Sequence, residues 1–193
     1  MGGDFLSYST IIDAFSPTSV LEIRNALLDN LIPVLNNNGT IIFICIGSDR
    51  TTGDCLGPLV GYKLSNYHIN NIFIYGSLEN PIHSANIEDI LSKIYFSFSN
   101  PYVVAIDSAL GSVQNIGKII IEDNPITPGA ALNKTLPPVG NICIKGVVNI
   151  SSSMEYMILQ NTRLYTVMTL ADTISQGITK FIESINNNVS RET

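Results

Sequence analysis

Apolar residues in this chain follow two rhythms. In one, short runs are almost unbroken: residues 40–47 (TIIFICIG), 71–76 (NIFIYG), 102–107 (YVVAID), 117–122 (GKIIIE) and 141–148 (NICIKGVV). Runs of this length, bounded by Gly, Asn and Pro, predict buried strands. In the other, apolar positions recur at helical spacing. Val20, Ile23, Leu27, Leu31 and Val34 form one face of a helix that Ser16-Pro17 is placed to open. Pro58 to about Asn66 predicts a second helix, and Asn86 is placed to cap a third through Ile87, Ile90, Leu91, Ile94 and Tyr95. Met154 to Leu159 and Arg163 to about Ile185 predict two more. The longer of these carries Val167, Ala171, Ile174, Ile178, Phe181 and Ile185 on one side.

Strands that alternate with helices imply right-handed crossovers and a mostly parallel sheet. Helices from both ends of the chain are available to cover the two faces. The expected architecture is an α/β fold, a three-layer α/β/α sandwich around a mostly parallel mixed sheet, in a single domain over residues 1–193. Residues 1–15 show little pattern and read as an arm; residues 186–193 (NNNVSRET) read as a flexible tail. Residues 123–140 hold four of the nine prolines, so regular structure is not expected there. Long loops in compact domains are often functional.

Composition narrows the class. Apolar residues make up 45% of the chain and charged residues 13%, which supplies a large core and excludes a disordered chain. A net charge of -6 argues against nucleic acid or an anionic membrane as partner. The apolar runs fall far short of the ~20 residues that span a bilayer. The opening MGGDFLSYST has no basic region ahead of a hydrophobic stretch, and Leu6 stands where a myristoylation signal has Ser or Thr. These features predict a soluble, cytoplasmic protein. The three cysteines are too few and too widely spaced for a zinc ribbon or a disulfide framework. Cys45 and Cys143 read as small buried groups. Cys55 reads as loop filler, because the neighbouring Asp54 opposes formation of a thiolate.

The chemistry gathers after the first strand, in GSDRTTGDCLGP. Gly47, Gly53 and Gly57 are spaced G-x5-G-x3-G, which is neither a dinucleotide fingerprint nor a P-loop, and Asp49 and Asp54 would repel phosphate. Asp54 precedes a helix and Asp107 ends the strand 102–107. Taken singly, each has an ordinary role, as helix cap or turn former. Taken together, on neighbouring strands ~4.8 Å apart, two such carboxyl groups would share a proton and clasp a water molecule or a metal ion. His83 follows the second strand and is a candidate general base or third metal ligand. His68 lies between helix and strand and reads as inert. Ser108 lacks the frame of a nucleophile elbow. Asp49, Arg50, Gly53 and His83 are the candidate substrate contacts.

The ordered set GSDRTTGDCLGP, YGSLENPIH, AIDSALG, PGAALNKTLPPVG and VVNISSSMEYMILQNTRL resembles the YyaC group of sporulation proteins over about residues 40–165. The first and third motifs also resemble the two acidic motifs of the spore germination protease. PGAALNK resembles that family's Pro-Gly-x-Gly-x-x-Asn loop, with Ala131 where a glycine is usual. Both groups are similar in fold to the hydrogenase maturation endopeptidases, whose matching acids are metal ligands together with a later histidine. This chain has no histidine after Asp107.

The resemblance implies a phosphorylase/hydrolase-like fold and an endopeptidase with Asp54 and Asp107 as its acid pair. Lys134 would polarise the scissile carbonyl, and Asn133 is a further substrate contact. The implied substrate is a protein or peptide, such as a small spore protein, in the forespore or spore core. An aspartic-type mechanism without cofactor is favoured over a divalent metal held by Asp54, Asp107 and His83. A non-catalytic binding or regulatory protein on the same fold is the alternative, and an oligomer is compatible with either.

Overall fold

All five apolar runs become strands, and a sixth precedes them. The computed structural model describes residues 9–67, 70–127 and 138–189. Its strands are β1 (Ser9–Asp13), β2 (Ile41–Cys45), β3 (Ile72–Tyr75), β4 (Tyr102–Gly111), β5 (Lys118–Glu122) and β6 (Ile142–Ile150). They form one sheet in the order β1-β5-β6-β4-β2-β3. Strands β6, β4, β2 and β3 run parallel, while β5 is antiparallel to both β6 and β1. The helices are α1 (Ser19–Asn36), α2 (Leu56–Leu64), α3 (Ile87–Ser97), α4 (Glu155–Gln160) and α5 (Leu164–Val189).

Every residue of β2 is buried, so the strand needs a layer on each side. Its alternate residues supply two separate cores. Ile41, Phe43 and Cys45 join Leu27, Val60 and Ile174 beneath α1, α2 and α5. Ile42 and Ile44 join Val103, Ala105, Ile87, Leu91 and Ile94 beneath α3. The apolar stripe expected on α5 is realised: Val167, Ala171, Ile174, Ile178 and Phe181 have no exposed surface. The result is the expected α/β/α layering. Among the described residues, no helix is long and apolar enough to cross a membrane.

Several boundaries differ from the sequence expectation. Part of the expected arm, residues 9–13, is the edge strand β1, with Ile12 buried against the core. Helix α1 opens at Ser19 rather than at Pro17, because Ser16 and Thr18 first close a local turn. Their hydroxyls lie 2.8 Å apart, and Thr18 Oγ1 donates to Glu22 Oε1 at 2.5 Å. Strand β4 does not end at Asp107 but pairs with β6 as far as Gly111, through a register shift between Ala109 and Leu110. Helix α5 continues into the expected tail, to Val189.

One backbone contact seats the site. At Gly57, α2 lies directly against the end of β2, where an added Cβ would stand 2.1 Å from the Ile46 carbonyl oxygen and 2.6 Å from its nitrogen. Both neighbours are main chain and have no rotamer by which to yield. Gly57→Ala is therefore expected to destabilise the protein by about 1–3 kcal/mol, measured as a lower midpoint in urea. An unchanged midpoint would show that α2 is free to shift.

Candidate functional site

The loop between β2 and α2 is folded tightly on itself. Gly47 has φ 137°, and a Cβ there would meet the Asp54 carbonyl oxygen at 2.0 Å, so only glycine fits the turn. The Ser48 N–H donates to that same carbonyl at 3.0 Å, and the Gly47 N–H donates to the Ile82 carbonyl at 2.7 Å. A short 3-10 turn, Thr52–Asp54, then leads into α2. The residue that caps α2 is Cys55, with no side-chain cap bond, so the Asp54 carboxyl group is not spent as a helix cap.

Strands β2 and β4 are neighbours, with Cys45 opposite Ile106. The loop after β2 and the residue after Ile106 therefore meet at the same end of the sheet. There they enclose a cavity of about 560 Å3, lined by Asp54, Asp107, His83, Arg50, Lys145 and Tyr156 among others. Asp107 is only 9% exposed. Its Oδ1 accepts the Ser108 N–H at 2.7 Å. Burial raises its pKa well above the ordinary carboxylate value, the negative charge of Asp54 raises it further, and the Ser108 N–H opposes both. Burial pushes Asp54 up to about 6, against a smaller opposing effect from the Ser48 N–H. Asp54 thus ionises first, and its charge holds the proton on Asp107.

The other sequence candidates separate. Arg50 and His83 line the cavity. The His83 Nδ1 accepts the Ala85 N–H at 3.2 Å. Asn86 does not cap α3 with its side chain; it accepts the His83 N–H at 2.9 Å and donates to the Pro81 carbonyl at 3.0 Å, which fixes the loop that carries His83. Asp49 is exposed and does not line the cavity. Gly53 is buried beneath α4, where a Cβ would meet Leu159 Cδ2 and Thr162 Oγ1, each at 2.8 Å. Its place is structural rather than in contact with the cavity. Asn133, Lys134 and His68 lie outside the described residues. Cys55 is buried and its thiol donates to the Thr52 carbonyl at 2.9 Å, as a filler would. Burial raises the pKa of all three thiols, that of Cys45 to about 12.

The sequence reading passed over Lys145. It stands opposite Asp107 in the β4–β6 register and lines the same cavity. Its ammonium group is held at 2.5 Å by Glu122 of β5. A lone lysine inside the apolar run NICIKGVV was the available signal. Among the described residues, no three His, Cys, Asp or Glu side chains gather closely enough to hold a metal ion. Asp54, Asp107 and His83 line one cavity.

A family model described as a protein of unknown function, DUF1256, matches residues 12–177. The chain belongs to this family. This DUF1256 protein is 46% identical over 138 residues to the uncharacterized protein YyaC of Bacillus subtilis (strain 168), a match that covers 72% of this chain and 67% of that one. The resemblance to the YyaC group is thereby established. Among solved structures, the NiFe hydrogenase maturation protease HycI from Thermococcus kodakarensis KOD1 is similar, at 20% identity and a TM-score of 0.39. That match covers 70% of this chain and 92% of that one.

The acid pair carries a stability signature. A carboxyl group whose pKa rises from 3.8 to about 6 on folding binds its proton more tightly in the folded state. Stability is then greatest below the lower value and falls as pH rises through the window between the two, by roughly 3 kcal/mol for Asp54. Asp107, also raised, acts in the same direction. Asp54→Asn leaves the backbone bond between the Ser48 N–H and the residue-54 carbonyl in place and removes the charge. At pH 8 it is expected to stabilise the protein by about 1–3 kcal/mol, read as a higher thermal midpoint. A lower midpoint would mark the carboxylate as a structural group.

Proposed function

We propose that this cavity is the active site of an endopeptidase that activates water between Asp54 and Asp107. The observation that carries the reading is a pair of cavity-lining carboxyl groups, largely withdrawn from water, in which the charge of one keeps the other protonated. Such a pair supplies a base and an acid at one pH. Ionised Asp54 takes a proton from water as its oxygen attacks the scissile carbonyl. Protonated Asp107 donates to the carbonyl oxygen, and the tetrahedral intermediate collapses as the amine leaves with a proton. Lys134 would polarise the scissile carbonyl. No step is routed through a metal ion.

The resemblance to sporulation proteins supports a protein substrate of the spore, such as a small spore protein, met in the forespore or spore core. The test is incubation with purified small spore proteins, comparing wild type with Asp54→Asn by mass spectrometry. Wild type is expected to cleave, with a kcat/KM that falls below pH about 6 as Asp54 gains its proton. Asp54→Asn is expected to lose at least ~100-fold. Equal cleavage by both would defeat the paired-acid mechanism. Cleavage by neither would favour a binding or regulatory protein.

A further inference from the structure

A second recess, of about 440 Å3, lies at the β3 end of the sheet. One wall is β3 itself; the other is the last turn of α2 and the stretch just beyond it, with Leu64, Ser65 and Tyr67 lining the recess. Among the described residues no strand lies beyond β3. Its backbone polarity follows from one bond: the Ile41 N–H donates to the Asn71 carbonyl at 2.8 Å. A trans peptide points its carbonyl and its N–H in opposite directions, so the Ile72 N–H faces away from β2. Alternation then turns the backbone groups of Ile74 outward as well. Residues 70–77 (NNIFIYGS) have no charge and no proline, the usual guards of a free edge.

Outward N–H and C=O groups at alternate residues match an extended polypeptide rather than a small molecule. The adjoining recess would take alternate side chains of such a strand, as in other strand-and-helix peptide grooves. A second copy of this chain is the poorer occupant, since each copy carries a net charge of -6 and repels the other. The recess is also linked to the acid cavity along the chain. Gly76, Ser77 and Asn80 line it, and a few residues later the same segment reaches His83, Ser84 and Ala85, which line the cavity. Ile82 bridges Ile46 at the end of β2. A strand added beyond β3 would stand three strand spacings from β4, ~14 Å, a span covered by about four to five extended residues.

We propose that the free edge of β3 and its recess form an exosite, which captures an extended, uncharged stretch of the polypeptide substrate by strand addition. The captured stretch lies about four to five residues from the bond presented to Asp54 and Asp107. The proposal rests on the peptidase reading, and its test reads binding rather than cleavage.

The test uses 15N-labelled Asp54→Asn protein and an uncharged decapeptide with valine at alternate positions. The control is the same peptide with proline at the intervening positions, which cannot pair. The valine peptide is expected to shift the amide signals of Ile72 and Ile74 and to slow their hydrogen exchange at least about ten-fold; the proline peptide is expected to do neither. Tyr67→Ala, a half-exposed change on the recess wall, is expected to weaken this binding several-fold and, in the protein that retains Asp54, to leave the pH dependence of stability in place. The proposal is overturned by an absence of binding at millimolar peptide, by shifts confined to the acid cavity, or by protection of β3 that grows with protein concentration alone. Protection of β3 without cleavage of any spore protein by the wild type would keep the exosite and remove the catalysis. Cleavage without protection would do the reverse.

Discussion

A strand with no polar side chain has to be hidden on both faces, and β2 is that strand in this protein. The need fixes much else. It requires a helical layer on each side, which α1, α2 and α5 provide on one face and α3 on the other. Layers of this kind come with parallel crossovers, and crossovers deliver their loops to the same end of the sheet. The Asp54 loop and Asp107 share a cavity because the strands that lead to them are hydrogen-bonded neighbours. The close contact between Gly57 and Ile46 then holds the start of α2, and with it the Asp54 loop, against the sheet.

The electrostatics of the cavity run against stability. Lys145 stands opposite Asp107 in the strand register, and Glu122 binds it. The two acids are held in a poorly solvated place, and burial opposes the ionisation of each. Burial of two carboxyl groups in one cavity opposes folding once they ionise, and perturbed groups of this kind cluster at functional sites in proteins generally. The buried thiols behave differently. Cys45, Cys55 and Cys143 sit in the core or against it, and burial keeps them protonated.

What the sequence disclosed depended on how local the signal was. Strands β2 to β6 were legible because each is an apolar run that needs no partner to be recognised. Strand β1 was not, since five residues reading STIID become a strand only by pairing with β5. The far half of β4 was missed for a similar reason: Ser108 to Gly111 is held in place by β6 rather than by any propensity of its own. Asp54 and Asp107 were found because the strand-then-acid pattern occurs twice. Lys145 went unread because a single lysine in a strand does not reveal that its register partner is an aspartate. Asn86 was placed correctly at the start of α3, but its side chain serves the loop before the helix instead of the helix itself.

The position of β1 has a consequence for how the chain reaches its final form. Asp13 and Lys118, joined across β1 and β5 by an ion pair at 2.8 Å, are 105 residues apart in sequence. Residues 9–13 emerge from the ribosome first among the described strands, yet β5, the strand they pair with, is made after β2, β3 and β4. Strand β5 in turn pairs with β6, which is synthesised later still. Strand β6, the last made, lies between β4 and β5, so the β1–β5 pair joins the β2–β4 part of the sheet only once the chain has been made as far as Ile150. Long-range closure of this kind slows folding, because the loop entropy is lost before the contacts that offset it are formed.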